Sequence, residues 1–322
     1  MSITDIVILT PVYNDWLSFQ QLLREIEASI SGQDCKRGVS IVAIDDGSTQ
    51  RDYVNYEWGS FSNIKRIEIL DLVRNLGHQK AIAIGLAYTQ EHYSCPVIVM
   101  DSDGEDRPSD ILQLIKELEA NPTKIIFAER SRRSESLPFI FFYMLYRLFF
   151  RVLTGKKISF GNFSIMPDSS LKRVVYLPEI WNHFAAGIIR SGLPLGTIPS
   201  TRGKRYVGRS QMNFVSLVMH GMSAISVYLD VVATRLILFS FSVIVLNLIG
   251  FAALLYVRFM TPLAIPGWAT TVAIGLAVIL FQSIFFLASL SFLVLSFRSN
   301  KVFIPAKDYK DYIFNIQVEY SK

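Results

Sequence analysis

Cysteine is nearly absent, with Cys35 and Cys95 the only two in 322 residues. Their positions make no metal-ligand spacing, so both read as free structural thiols of a reducing compartment. Neither G-x-G-x-x-G nor G-x-x-x-x-G-K occurs, which argues against a classical dinucleotide site and a P-loop. No zinc-finger or RNP motif accompanies the net charge of +5, so nucleic acid is not the expected partner. A positively charged leader segment is missing too, because polar T-P-V-Y-N follows one short apolar run, and no signal peptide is expected. Charged residues are sparse, at 18% against 51% hydrophobic. That imbalance points to membrane-embedded sequence, and it is concentrated late in the chain. Much of the basic charge stands beside apolar runs, which favours anionic lipid and phosphates as partners.

The stretch richest in chemistry is Val97 to Pro108, V-I-V-M-D-S-D-G-E-D-R-P. Four apolar residues with β-branched Val and Ile run into carboxylates, as a buried parallel strand does at its carboxyl edge, where open α/β sheets bind ligands. Asp101, Asp103 and Glu105 alternate, so all three can face one point and offer oxygen ligands to Mg²⁺ or Mn²⁺. A solvated acidic strand-to-helix loop is the alternative.

Around it, Asp5 to Thr10, Val39 to Ile44, Ile67 to Leu72, Val97 to Met100 and Lys124 to Ala128 read as five short strands. Helical faces lie between them: Phe19, Leu22, Leu23, Ile26 and Ile30 on one, Ile111, Leu114, Ile115 and Leu118 on another. Alternating strands and helices imply a mostly parallel, doubly wound sheet of the α/β class. The first strand ends in P-V-Y-N-D and the second in I-D-D-G-S. At neighbouring strand ends these make the walls of a nucleotide crevice, with Tyr13 offering a face and Asp15, Asp45 and Asp46 accepting hydrogen bonds. An ordinary turn also explains D-D-G-S. In R-N-L-G-H-Q-K, Gly77 at a helix start suits close approach of a diphosphate. Lys80 is a helix-start charge that could touch the donor, and His78 reads as a loop residue.

Four segments, T-P-V-Y-N-D, I-D-D-G-S-T, R-N-L-G-H-Q-K-A and M-D-S-D-G-E-D, stand in the order and spacing of one family. The chain resembles the family-2 glycosyltransferases of GT-A fold, specifically the polyprenyl-phosphate glycosyltransferases similar to dolichol-phosphate mannose synthase. The resemblance implies nucleotide contacts at Pro11, Tyr13, Asn14, Asp15, Asp45, Asp46, Gly77, Lys80 and Asp101. It also implies a metal at Asp101, Asp103 and Glu105, and a UDP- or GDP-linked sugar donor. Arg130 takes the place of an arginine that helps hold phosphate, and Arg202, Arg205 and Ser210 fall on phosphate-handling positions of T-R-G-K-R-Y-V-G-R-S-Q-M. Asn162, in G-N-F-S-I-M, replaces an acidic residue of the family pattern. An ionised polyprenyl phosphate needs no strong base, so Asn162 can still orient a phosphate or sugar hydroxyl. Asp103, Asn162 and Arg205 are the expected catalytic set. Trp181, in W-N-H-F, offers a stacking face for a pyranose, or is a core Trp. A different lipid acceptor with a neutral hydroxyl, or an inactive membrane scaffold, are the competing readings.

Pro138 to Leu153 carries aromatic bulk beside Arg147 and Arg151, which suits a helix lying in the membrane interface, with a buried core helix as the alternative. In the interfacial reading Arg130, Arg147 and Arg151 draw in an anionic head group. Residues 213–235 read as a second interfacial helix, and residues 236–298 as a hairpin of two transmembrane helices, preceded by a catalytic domain over 1–212 and followed by a tail over 299–322. Arg235, Arg298, Lys301, Lys307 and Lys310 flank one end of the hairpin against Arg258 at the other. Positive-inside bias then places the catalytic domain and both chain ends on the cytoplasmic side of the inner membrane. In the tail, Phe314, Ile316, Val318 and Tyr320 alternate with Asn315, Gln317 and Glu319, the period of a strand with one buried face. Such a strand must join a sheet edge, either in its own catalytic domain or in a neighbour's, and exchange between protomers, hence a homo-oligomer, is the favoured expectation.

Overall fold

The structure is a computed structural model, and it describes residues 5–31, 38–50, 58, 60–130, 137–156, 160–208, 214–263, 267–299 and 301–322. The five expected strands are present as β1 (Asp5–Val12), β2 (Gly38–Asp45), β3 (Ile64–Leu72), β4 (Val97–Val99) and β5 (Ile125–Arg130). Three more join them: β6 (Ser164–Met166), β7 (Leu195–Ser200) and β8 (Ile313–Ser321). The sheet order is β7-β5-β6-β4-β1-β2-β3-β8. The pairs β1–β2, β1–β4, β2–β3 and β5–β7 are parallel, whereas β6 runs antiparallel to β4 and β5, and β8 antiparallel to β3. β6 has three residues, too short for a pattern of its own, and β7 contains Pro199 and Gly196, which weaken its strand signal.

Helices cover both faces of the sheet because the strands are apolar on both sides. On one face pack α1 (Trp16–Ser31) and α3 (Ile111–Ala120), through the same Phe19, Leu22, Leu23, Ile26, Ile30 and Ile111, Leu114, Ile115, Leu118 stripes that the periodicity marks. On the other lie α2 (His78–His92), α5 (Asp168–Val174) and α6 (Phe184–Ser191), while α4 (Leu137–Thr154) follows β5 in the chain. Of these α2, α5 and α6 contribute to the second core cluster. α2 is buried along Ala81–Thr89. Its Gly85 permits that approach, since a Cβ there would meet Ile44 and Leu9 at 2.6 and 2.7 Å. On α4 the side chains of Met144, Leu148, Phe149 and Val152 are exposed, as is Arg147, so α4 is not a buried core helix along that stretch.

The tail strand corrects an expectation. β8 pairs with β3 of its own chain rather than with a neighbour. Its outward face is also the opposite of the one expected. Phe314, Ile316 and Val318 are 76%, 44% and 51% exposed, while Gln317 donates to Asp71 at 3.0 Å and Glu319 accepts from the Trp58 indole at 3.0 Å. The polar side chains find partners on the inner face, and that decides the orientation. Tyr320 alone of the alternating set packs inward, edge-on to Phe61.

α7 (Phe214–Ser226) ends before α8 (Leu229–Met260) begins, so the second interfacial helix is shorter than expected and the long apolar helix starts earlier. Residues 149–156 and 228–301 form a compact unit separate from the rest. Within it α8 packs on α9 (Trp268–Ser299). Ala233, Ser240, Asn247 and Leu254 are the buried positions of α8 at seven-residue intervals, a coiled-coil-like seam, while Phe239, Leu246, Phe281 and Phe285 face outward. Each helix has 32 residues, about 48 Å of length against roughly 30 Å of bilayer hydrocarbon. Both are long and apolar enough to cross a membrane. A short turn of helix, α10 (Pro305–Asp308), leads into the tail.

Candidate active site

The carboxyl ends of the adjacent parallel strands β4, β1 and β2 bring three acidic segments to one edge of the sheet. After β4 the chain turns tightly at D-S-D-G-E-D. Asp106, itself buried, accepts from the Asp101 backbone N–H at 3.0 Å, and Asp103 Oδ1 accepts from the Glu105 N–H at 2.9 Å. Gly104 has φ +89°, and a Cβ on it would strike the Tyr206 ring at 2.6 Å, so only glycine fits the turn.

The loop after β7 lies directly on this turn. Gly203 N–H donates to Glu105 O at 2.8 Å, and Tyr206 N–H to Asp103 O at 2.9 Å. The Tyr206 hydroxyl reaches Glu25 at 2.7 Å. Two arginines then engage the carboxylates. Arg205 donates to Asp103 Oδ2 at 2.8 Å and also to Asp15 Oδ2. Arg202 grips both oxygens of Glu105 at 2.9 and 2.7 Å, a bidentate pair. Burial pushes the Asp103 carboxyl up to about 6, helped by the neighbouring Asp101 charge, while the Glu105 N–H and Arg205 act the other way.

Glu105 therefore turns onto Arg202 instead of joining the aspartates, which corrects the expectation that three carboxylates face one point. Among the described residues no three His, Cys, Asp or Glu side chains converge to hold a metal ion. The pair Asp101 and Asp103 nevertheless fits a hard divalent cation. Burial first and the Asp101 charge second already disfavour the ionised form of Asp103, so added positive charge would favour both carboxylates ionised, and the other ligands would come from a diphosphate and water.

Several expected nucleotide contacts are occupied in holding the crevice itself. Asn14, at φ 49°, accepts at Oδ1 from the backbone N–H groups of Thr49 and Gln50, tying the β1 loop to the β2 loop. Asp45 Oδ1 accepts from Ser48 N–H at 2.7 Å and is fully buried. Asp46 accepts from the N–H groups of Leu76 and Gly77 at 2.7 and 2.9 Å. Gly77 thus gives its own N–H to Asp46, while the space beside its Cα stays open, with no heavy atom within 4 Å of where a Cβ would stand. Burial raises the Asp46 pKa, against the pull of those two N–H groups. Pro11 lies within β1, and Tyr13 is 45% exposed at the crevice mouth.

Lys80 lies over the Trp181 ring at 5.2 Å, and Trp181 packs on Phe303 and Tyr312 at 3.7 and 5.2 Å between centroids. Trp181 is thus part of an aromatic core that seats the returning tail, not an open platform for a sugar. Arg147 is exposed on α4, Arg130 ends β5, and Ser210 lies outside the described residues, as does Cys35.

Sequence reasoning missed His78. It is the first residue of α2, not a loop residue, and its Nε2 lies 3.2 Å from Asp101 Oδ1 and 2.9 Å from the Asn162 amide nitrogen. Burial lowers its pKa, but the Asp101 charge and contact outweigh burial and leave it raised. Gln79 bridges Asn162 and the backbone of α6. His183 caps α6 by accepting from Ala186 N–H, and its ring lies 4.6 Å from that of His220 on α7. Burial pushes His183 down to about 3, with His220 adding to the effect. The H-Q-K run offered the only signal, since two polar residues beside Gly77 at a helix start must point into the crevice or away from it.

A model described as glycosyl transferase family 2 matches residues 7–179, more than half of the chain and the whole of the acidic edge. This chain is a family 2 glycosyltransferase. Its mixed sheet with the acidic turn after β4 is of the GT-A type. The glycosyltransferase is similar to YkcC of Bacillus subtilis, at 25% identity over 84% of this chain and 82% of that one. It is also similar to an undecaprenyl-phosphate 4-deoxy-4-formamido-L-arabinose transferase of Klebsiella pneumoniae, at 23% identity over 86% and 83% of the two chains. Among solved structures it is similar to glucosyl-3-phosphoglycerate synthase of Mycobacterium tuberculosis, at 13% identity, covering 71% and 78% of the chains with a TM-score of 0.49.

Proposed function

We propose that this glycosyltransferase moves one sugar from a UDP- or GDP-linked donor onto a polyprenyl phosphate at the cytoplasmic face of the inner membrane, with inversion at the anomeric carbon. The observation that carries the reading is one chain holding both an acidic strand-end site and two 32-residue apolar helices. The name of the Klebsiella relative adds support for the acceptor class.

In this mechanism an ionised oxygen of the lipid phosphate attacks the anomeric carbon as the bond to the nucleoside diphosphate breaks. That oxygen carries its charge at neutral pH, so a side-chain base is dispensable and Asn162 suffices to orient. Asp101 and Asp103 would hold Mg²⁺ or Mn²⁺, which supplies positive charge for the departing diphosphate. Arg205 and Arg202 exchange their carboxylates for acceptor phosphate oxygens, supported by Arg130 and Ser210 as the family resemblance assigns them and by Arg147 if α4 lies in the interface. Most of the rate comes from positioning and electrostatics.

The α8–α9 hairpin is the membrane anchor, and α4 and α7 lie in the interface. Exposed Met144, Leu148 and Phe149 on α4 and Val218, Met219 and Met222 on α7 favour that placement. The catalytic domain then comprises residues 1–212, and the excess of basic residues at one end of the hairpin puts it in the cytoplasm. The exposed Phe314, Ile316 and Val318 of β8 support a homo-oligomer that buries this face. Purified protein in detergent, given a panel of UDP- and GDP-sugars with undecaprenyl phosphate, is expected to release nucleoside diphosphate with at least one donor. Release with none of them refutes the acceptor assignment.

A further inference from the structure

The two long apolar helices carry two side-chain amides, Asn247 on α8 and Gln282 on α9. They face opposite ways. Asn247 lies in the seam of the hairpin at 5% exposure. On α9 the half-buried Leu276, Leu280, Ser283 and Leu287 mark the side turned to α8, whereas Gln282 is exposed on the outward side.

The depth of Gln282 does not depend on where the bilayer is drawn. About 20 helical residues fill the hydrocarbon, and because Gln282 stands at the middle of the 30-residue stretch Trp268–Phe297, any such run includes it. Neighbouring hydroxyls are settled within the helix: Ser283 donates to Ile279 O and Ser291 to Leu287 O, each at 2.8 Å. Gln282 has no such outlet. Its amide offers two N–H donors and an acceptor, and among the described residues it makes no hydrogen bond. Hydrocarbon supplies no partner, and an unpaired amide there is costly. From roughly 15 Å inside the hydrocarbon the side chain is too short to reach either head-group layer.

We infer that Gln282 joins two copies of this chain in the membrane, with α9 packed on α9 and the two amides hydrogen-bonded to each other. The inference rests on the reading of α8–α9 as the membrane anchor. A second copy is the partner that the position favours. Copies inserted with the same topology carry Gln282 at the same depth, so a two-fold axis along the membrane normal brings the amides level. An amide is also its own complement, donor against acceptor. Space for the approach is present: seven residues to either side on the same outward face stand Gly275 and Ser289, both exposed, and a Cβ on Gly275 would meet nothing within 4 Å. Small residues flanking a polar one are what close helix pairs in membranes use. The contact engages none of the β8 residues, so the two surfaces are tested apart.

The test uses full-length protein, purified and reconstituted alone into phosphatidylethanolamine and phosphatidylglycerol vesicles. Energy transfer between copies carrying donor and acceptor dyes at the N-terminus is followed against the protein-to-lipid ratio. Phe314, Ile316 and Val318 are replaced by Thr in every sample, so that the β8 face does not mask the membrane contact. Gln282→Leu is expected to raise the ratio at half-association by about three- to tenfold, the worth of one interhelical amide contact. Gln282→Asn keeps an amide and should stay within about twofold of the parent. Gly275→Ile, which fills the space beside the amide, should weaken association as Gln282→Leu does. An unchanged ratio in Gln282→Leu, or an equal shift in the Leu and Asn variants, overturns the inference. Absence of transfer in the parent protein overturns it too, since a partner other than a second copy would then be needed. Alkaline carbonate extraction of the same vesicles separates this outcome from failure of the anchor reading. Protein kept in the pellet, with transfer unaffected by Gln282→Leu, removes the inference alone, whereas release of the parent protein removes the anchor reading with it.

Discussion

Arg205 stands where a divalent cation would have to compete with it. Its guanidinium bonds Asp103 at 2.8 Å and also Asp15, with 22% of its side chain exposed. A charge-assisted hydrogen bond is worth about 1.5–3 kcal/mol net, and partial exposure favours the lower end of that range. A cation that takes Asp103 as a ligand must displace this bond, at a cost of about 1.5 kcal/mol, or roughly tenfold in affinity. Arg205→Ala should therefore bind Mn²⁺ about tenfold more tightly while turning over more slowly. Arg202→Ala provides the comparison, because its partner Glu105 lies outside the metal pair and Mn²⁺ affinity should change little. Isothermal titration with Mn²⁺ in detergent at pH 7.5, without nucleotide, measures both. Unchanged or weaker Mn²⁺ binding in Arg205→Ala would refute the idea that arginine and metal share Asp103.

Asp103 titrates at about 6, above its ordinary 3.8, because the folded site burdens its charge. The folded state thus binds this proton more tightly than the unfolded chain, so the Asp103 contribution to stability is most favourable below about pH 4 and is lost as pH rises toward 6. Asp103→Asn should flatten that part of the stability profile in urea titrations. Metal binding runs the other way: protonated Asp103 cannot ligate, and Mn²⁺ affinity should fall about tenfold from pH 7 to pH 5, to be read in the same calorimeter. Trp181→Ala should lower stability by about 2–3 kcal/mol through its lost packing on Phe303 and Tyr312. It should leave the donor KM within twofold in a coupled assay, whereas a large rise would restore the sugar-stacking role. Replacing Phe314, Ile316 and Val318 together by Thr should reduce the mass measured by light scattering in detergent if the exposed β8 face is the oligomer contact, and an unchanged mass would dismiss it.

The pattern of residues was sufficient for the strands and helices of the first 130 residues and for the two long apolar helices. In α1 and α3 burial repeats at the helical period, so Phe19, Leu22 and Ile26, or Ile111, Leu114 and Ile115, announce their face without help from distant sequence, while the strands and the two long helices show as unbroken apolar runs. The acidic edge was legible for the same reason, since an apolar strand running into Asp101 and Asp103 is a local event. β6 was not legible, because three residues carry no period and their strand state depends wholly on β4 and β5 beside them.

Orientation and partnership belong to the tertiary structure. The tail alternates strictly, but alternation does not say which face is inside. Asp71 and Trp58, more than 240 residues away in the chain, hold Gln317 and Glu319 inward and leave Phe314, Ile316 and Val318 outside. Nothing near Asp46 in sequence reveals that it takes the N–H of Gly77, and nothing near Glu105 reveals that Arg202 takes it from the aspartates. Residue type tells what each side chain can donate or accept. Which partner it meets is decided by packing that brings remote segments within hydrogen-bond reach, so the sequence determined the chemistry on offer at this site and the fold decided how it is shared out.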